Sequence, residues 1–381
     1  MIDRRREEFP TLASGIHLLS HSLGPVPRTV RESMIAYCDA WEFHTSEDAW
    51  ATTWWQLSRR VGDRIARILG GEPGSVQIQP NASIGLATVA SCFDFHSGRR
   101  NKVVTTALDF PSMEYIWNAQ RQTGADVEIV PSTGGISVPL EKILDAIDEK
   151  TGLVALSHTS YRSSYRIDVQ PIVERAHAKG ALVLLDVYQS AGVLPLHAAD
   201  WKVDFLIGGT IKWLCGGPSC GYLYVRPDLQ HDLAPRLTGW VAHDSPFDFA
   251  PAPMRYARSV RRFAQGTPSI PALYSAIPGL DIVESAGVIE IAEESQRRTQ
   301  HMIDFALSRG WTVNTPLELN KRGASVMIGV DNAPTVVEQL AERHVFVDSR
   351  PGAGLRISPH FFNTDEEIDE AMNILAALIR K

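Results

Sequence analysis

The sequence predicts an α/β protein, with a doubly wound sheet over roughly residues 60–250 followed by a smaller α+β unit. Three observations predict it. Short, near-continuous apolar runs read as strands buried on both faces, as in a parallel sheet. Helical patterns lie between several of them, which gives a βαβα rhythm. After about residue 270 the rhythm changes to a long helical stretch and then short strand–helix–strand runs.

The elements follow in order. VVTTA (103–107), DVEIV (126–130), LVALSH (153–158), ALVLLD (181–186) and FLIGG (205–209) are the expected strands. SMEYIWNAQRQTG (112–124), LEKILDAIDEK (140–150) and VQPIVERAHAKG (169–180) are the expected helices, and the first and last end near a glycine, as helix C-termini often do. Beyond residue 270 come a helical stretch to about Gly310, strand ASVMIGV (324–330), helix PTVVEQLAERH (334–344), strands VFVDSR (345–350) and LRIS (355–358), and a last helix from about Asp365. There, Thr364 suits an N-cap, and the acids of TDEEIDEAM favour the positive end of the helix dipole. The expected division is 1–265, with an N-terminal arm over 1–25, and 266–381. Trp50, Trp54 and Trp55 sit at i, i+4 and i+5, the spacing of one buried helix face.

The chain has 381 residues, 44% hydrophobic and 21% charged, with a net charge of −7, so no basic stripe invites nucleic acid or an anionic membrane. The charged start, MIDRRREEFP, has no apolar segment of a secretory signal. No apolar run approaches the ~20 residues of a membrane span. Four scattered cysteines, Cys38, Cys92, Cys215 and Cys220, suit free thiols in a reducing cytoplasm. His158 and His243, the histidines expected near the site, have no second ligand at helical or CxxC-like spacing, so no metal is expected.

One lysine stands out. In LIGGTIKWLCGGPSCG (206–221), Lys212 lies in an apolar run. Burial disfavours the charged form, and a neutral amine can form a Schiff base with an aldehyde. Asp186 ends the strand ALVLLD, at the sheet edge where α/β folds build their sites. A carboxylate there serves as a helix N-cap, or pairs with a protonated pyridine nitrogen such as that of pyridoxal 5′-phosphate (PLP). Asn81, Ala82 and Ser83 open an apolar helix, whose free N–H groups suit a phosphate or need only a plain cap.

LLDVYQSAG, GGTIKWLCGGPSCGYLYV, LTGWVAH and GLRISPHFFNTDEEID together resemble the class V aminotransferase branch of PLP enzymes with the type I fold. The resemblance runs over nearly the whole chain and implies a large domain with a mostly parallel, seven-stranded-type sheet and a smaller C-terminal α+β domain. Within that branch the chain is most similar to kynureninases, through HSLG (21–24), WATTWWQLSRRVGDRIARILG (50–70), DFPS (109–112), LSHTSYRSSY (156–165), IKWLCGGP (211–218), GWVAH (239–243) and QGTP (265–268).

The resemblance implies a role for each matching residue. Lys212 would carry PLP as a Schiff base and shuttle the α-proton. Asp186 would bind the pyridinium nitrogen, and Phe110 would stack on the ring. Asn81, Ala82 and Thr210 would surround the phosphate, with Trp240 and Thr267 reaching it from the other subunit of a homodimer. Gln189 stands among the cofactor residues where kynureninases have histidine. Arg356 would hold the substrate α-carboxylate, for which a planar bidentate donor is well shaped. Ser157 and His158 would lie on the substrate side, with Tyr161.

Further departures are Ile211 where a tyrosine precedes the lysine, Met113 where an aspartate follows the stacking Phe, and Tyr188 where a small residue is usual. A cysteine desulfurase would need a cysteine in DSRPGAG (348–354), which has none. The reaction expected is PLP-dependent cleavage at Cβ of an L-amino acid, C–C or C–S. The alternatives are an aminotransferase or epimerase using the same first steps. A PLP-fold protein serving only to bind is disfavoured by the intact Asp186–Lys212 pair.

Overall fold

The computed structural model describes residues 5–43 and 48–379. The first four residues of the charged start lie outside it. Seven strands form the central sheet: β2 (Val76–Gln79), β3 (Lys102–Thr106), β4 (Asp126–Val130), β5 (Thr151–Ser157), β6 (Leu182–Asp186), β7 (Phe205–Gly209) and β8 (Gly221–Val225). Their order is β2-β8-β7-β6-β5-β3-β4. The five from β7 to β4 run parallel, and β8 runs antiparallel to both of its neighbours, β7 and β2. Every residue of β3, β5, β7 and β8 is buried, as strands covered on both faces require.

Two apolar layers cover the sheet. One gathers Leu86, Val89, Met113 and Trp117 against Leu184, Phe205 and Ile207. These come from α3 (Ala82–Ala90) and α4 (Pro111–Gln120). The other, larger layer gathers Val183, Leu185, Leu206 and Tyr222 with residues of α2 (Trp55–Ile68), α6 (Val169–Ala178) and α8 (Ile270–Ala286). Strand alternation distributes them: odd residues of β6 face one layer and even residues the other. Helices α1 (Val30–Glu42), α5 (Leu140–Ala146) and α7 (Ala198–Trp201) complete the covering elements.

The long helical stretch after residue 270 is two helices. Gly287, at φ 83°, breaks it into α8 and α9 (Val288–Ser308), a conformation glycine adopts without penalty. A separate small core then forms from Met302, Ile303, Ile328, Leu340, Leu355 and Leu375, and Ile16 and Leu18 of the N-terminal arm join it. By packing, the two cores divide within α9, since α8 contributes Leu273, Leu280 and Val283 to the larger one.

The arm makes β1 (Ile16–His17), which pairs in parallel with β10 (Val345–Phe346). Strands β9 (Val326–Ile328), β11 (Asp348–Arg350) and β12 (Gly354–Ile357) form an antiparallel sheet in the order β11-β12-β9. Helices α10 (Ala333–Ala341) and α11 (Asp365–Ile379) cover it. Thr364 caps α11: its Oγ1 accepts from Glu367 N at 3.2 Å, while Glu367 Oε2 accepts from Thr364 N at 3.1 Å, a reciprocal capping box.

The three tryptophans do not share one face. Trp50 and Trp54 meet edge to face, and Trp54 stacks on Tyr37. Trp55 turns away to Trp240 and Phe247, with centroids 5.9 and 4.6 Å distant. Residues 49–54 wind as a wider π-helix, which rotates Trp55 off the stripe an α-helix would give.

Candidate active site

The C-terminal ends of β5, β6 and β7 open on a cavity of about 250 Å³. Lys212 and Asp186 line it together, with Asn81, Ala82, Ser83, Phe110, Ser157, Tyr161, Tyr188 and Gln189; Leu86, Met113 and Ile207 add apolar wall. Asp186 arrives as the last residue of β6, and Lys212 from the loop that follows β7.

The lysine loop is held by its own backbone and by the N-terminal arm. Thr210 N donates to Cys220 O at 3.1 Å, and Gly216 N donates to Thr210 O at 2.9 Å. Gly24 N donates to Ile211 O at 2.8 Å. Gly24 also packs so tightly that a Cβ there would lie 2.2 Å from Lys212 O.

Burial sets the electrostatics. It lowers the Lys212 amine from its usual 10.5 to about 8, against the pull of the nearby Asp186 carboxylate. It raises Asp186 to about 6, opposed by the 2.8 Å hydrogen bond from Tyr188 N and by Lys212. The amine thus reaches its neutral, nucleophilic form far more readily than a solvated lysine. Its Nζ lies over two ring faces, 4.2 Å from the Tyr188 centroid and 5.8 Å from that of Phe110.

Opposite lies the N-terminus of α3. Asn81 caps it, its Oδ1 accepting from Ile84 N at 2.9 Å. The N–H groups of the helix's first turn have no partner within the helix, so this corner favours an anion.

Phe110 precedes α4 and meets Tyr161 edge to face at 5.1 Å. The turn before it hangs on buried Asp109, which accepts from Thr105 Oγ1 and Thr106 N, both at 2.7 Å, and from Ser157 N. Asp109 carries no distinguishing signal in the sequence beyond its place in DFPS, yet it ties the β3–α4 turn to the end of β5.

Several expected site residues lie elsewhere. Ser157 faces the cavity, but His158, the next residue along, points to the opposite side. There its Nδ1 bonds Ser190 Oγ at 2.7 Å and its ring packs against Trp201. Burial lowers it to about 3, so it is neutral. Thr210 donates its hydroxyl to Gly217 O at 3.1 Å, closing the lysine loop from behind instead of lining the cavity.

Gln189 does line the cavity, but its amide is engaged at both ends. It donates to His21 O at 3.0 Å and accepts from Trp213 Nε1 at 3.1 Å. Trp240 and Thr267 are not on this cavity's wall. Trp240 is exposed beside Phe247 and Phe249, and Thr267 lines a second cavity of about 520 Å³ with Trp55, Gln79 and Gln265.

Arg356 is buried and already partnered. In the β11–β12 register it stands directly opposite Asp348. Its Nε and Nη2 chelate the Asp348 carboxylate at 2.7 and 2.5 Å, and Nη1 donates to Tyr161 O at 2.9 Å. His21 Nε2 meets Asp348 Oδ1 at 2.8 Å, and His21 Nδ1 meets Ser358 Oγ. These contacts hold the Asp348 carboxyl well below the usual carboxylate range despite burial. Burial lowers His21 to about 4, so it acts as a neutral hydrogen-bonding strut. HSLG (21–24) is the sequence trace of this brace, although its partners are at least 168 residues away.

A half-buried amine, a half-buried carboxylate, an exposed aromatic face and a helix N-terminus meet in one cavity. Those are the donors PLP needs, for its aldehyde, pyridine nitrogen, ring face and phosphate respectively.

Residues 18–370 match the family model "Aminotransferase class-V", and the chain belongs to that family of PLP-dependent enzymes. Among its relatives, the uncharacterized aminotransferase YcbU of Bacillus subtilis is 31% identical over 98% of this chain and 97% of its own. Kynureninases of Bacillus cereus and Pseudomonas fluorescens are 28% and 29% identical, covering 98% of this chain and 90% and 91% of theirs. In fold the chain matches a cysteine desulfurase from Thermococcus onnurineus, with a TM-score of 0.88 at 21% identity over 99% of this chain and 98% of that one. It also matches a cystine C–S lyase with a TM-score of 0.86 at 20% identity, over 97% and 99%. The type I architecture expected from the sequence is therefore the one observed.

Proposed function

We propose that the enzyme cleaves a Cβ bond of an L-amino acid in the manner of a kynureninase, with Lys212 and Asp186 as its catalytic pair. The observation that carries the reading is the shared cavity. A lysine brought to about 8 and a carboxylate brought to about 6 lie in it beside an aromatic wall of Phe110, Tyr161 and Tyr188, in a chain 28% identical to kynureninases over nearly its whole length.

When bound, PLP supplies an electron sink for charge that develops at the substrate Cα. The chain does the rest. Lys212 would hold the cofactor's aldehyde carbon and, once the substrate amine has displaced it, would take and return the Cα proton at Nζ, an amine whose acidity suits that task near neutral pH. Asp186 holds the pyridine nitrogen in its protonated form. Phe110 covers the ring, and Asn81, Ala82 and Ser83 receive the phosphate at the start of α3.

Arg356 receives the substrate carboxylate. A guanidinium has five N–H donors. Asp348 takes two and Tyr161 O one, which leaves one N–H on each terminal nitrogen for a substrate carboxylate. Ser157 and Tyr161 line the side-chain end, and Met113 and Leu86 make that end apolar.

The enzyme acts as a homodimer. Trp240 and Thr267 lie away from the cavity of their own chain, and Trp240, Phe247 and Phe249 form an exposed aromatic patch that a second copy would cover.

The test is to mix the PLP-loaded protein with L-kynurenine and follow anthranilate fluorescence and alanine. Their joint appearance is the expected result. A keto acid without anthranilate would replace this reading with an aminotransferase, the reading favoured by the 31% identical relative. Neither product would remove kynurenine from the substrate class.

A further inference from the structure

Tyr188 does not have the placement of a surface side chain. It follows Asp186 at the end of β6 and is tied to it, its backbone N–H donating to Asp186 Oδ1 at 2.8 Å. Its side chain runs across the mouth of the sheet toward β7. There the hydroxyl lies against Gly209, where even a Cβ would come within 2.4 Å of it. Only glycine leaves that space, so Gly209 and Tyr188 are a matched pair.

The ring lines the cavity, with Lys212 Nζ 4.2 Å above its centroid. The same Nζ lies over the Phe110 ring at 5.8 Å. Phe110 comes from the start of α4, on the far wall, where Tyr161 braces it edge to face. The reactive amine therefore lies over two aromatic faces, that of Tyr188 at the end of β6 and that of Phe110 at the start of α4.

We infer that Tyr188 is a second stacking face for the cofactor, so that the pyridine ring is held between Phe110 and Tyr188 instead of against one aromatic alone. The inference rests on the proposed attachment of PLP at Lys212. Stacking on a second π-face adds attraction that an aliphatic side chain of the same bulk does not supply. The hydroxyl is not what is needed, because it points to Gly209. The ring face is.

The test is PLP binding by the apoprotein. Wild type, Tyr188→Phe, Tyr188→Leu and Phe110→Leu are titrated with PLP, followed by the cofactor's absorption and its induced circular dichroism. Far-UV circular dichroism confirms that each variant is folded. Borohydride reduction and peptide mapping locate the attachment in wild type.

Tyr188→Phe is expected to bind as wild type does. Tyr188→Leu, similar in bulk but without a π-face, is expected to raise the dissociation constant at least about tenfold and to shrink the induced dichroism, as Phe110→Leu does. A Tyr188→Leu constant within twofold of wild type, with unchanged dichroism and PLP mapped to Lys212, would overturn the second face and leave the attachment standing. PLP mapped to another lysine would overturn the attachment and the inference with it. A loss of binding in Tyr188→Phe equal to that in Tyr188→Leu would assign the effect to the hydroxyl and overturn the stacking role.

Discussion

The half-buried lysine makes a prediction that needs no substrate. Lys212 is lowered from 10.5 to about 8 by desolvation. At pH 7 the folded apoprotein therefore holds a charge that it would rather hold unfolded. At about 1.4 kcal/mol per tenfold change, the cost is about 3 kcal/mol. Lys212→Met keeps the length of the side chain and removes the charge. The apo variant is expected to be more stable than wild-type apoprotein by about 3 kcal/mol at pH 7.

The sign of the pH dependence follows from linkage. Between about 8 and 10.5 the unfolded chain binds the proton and the folded chain does not, so wild-type stability rises with pH through that window. The advantage of Lys212→Met should shrink to under about 1 kcal/mol by pH 10. Urea unfolding of both apoproteins at pH 7 and pH 10 measures the double difference. A variant no more stable than wild type at pH 7, or an advantage that does not shrink at pH 10, would refute the account of a lysine held against its own desolvation.

Three other outcomes follow from the described contacts. Asp348→Asn removes the charge that Arg356 chelates, and should cost about 3 kcal/mol of stability by urea unfolding. Because Asp348 is held below the usual carboxylate range, that contribution is present above pH ~4 and fades as the pH falls further, so wild type and variant should converge in acid. Tyr222→Phe should be neutral or stabilising by about 1 kcal/mol in thermal unfolding, since the Tyr222 hydroxyl is buried without a hydrogen-bond partner. Trp240→Ala should weaken the proposed dimer at least about tenfold by sedimentation, and an unchanged association constant would remove the aromatic patch from the interface.

Much of the large domain was legible because its strands are buried on both faces. β4 and β7 fall at the expected residues, and β3, β5 and β6 within two of them. Strand β2 was not legible. VQIQ is four residues long and alternates polar with apolar, and its place beside β8 is a long-range pairing that no local pattern encodes. The lysine and aspartate were legible because each breaks an apolar run.

What surrounds them was legible only in part. Ser157 and His158 are neighbours in LSHTS, yet β5 ends at Ser157 and the two side chains go opposite ways, Ser157 to the cavity and His158 to Ser190. The Arg356 partner was hidden because it depends on the β11–β12 register, and VFVDSR reads as one strand where the chain makes two. Thr210 reads as a phosphate ligand until the loop it closes is seen.

The N-terminal arm has a consequence for how the enzyme is made. Residues 16–24 leave the ribosome well before the residues they pair with: Ile16 with Val345, Leu19 with Ser358, and Gly24 with Ile211. The back of the lysine loop can close only after the central sheet exists, and the arm can settle only after the small domain has emerged. The arm thus docks only after the later segments it pairs with have been made. A truncated chain ending before residue 345 would carry Lys212 and Asp186 and still lack part of the scaffold that shapes their environment.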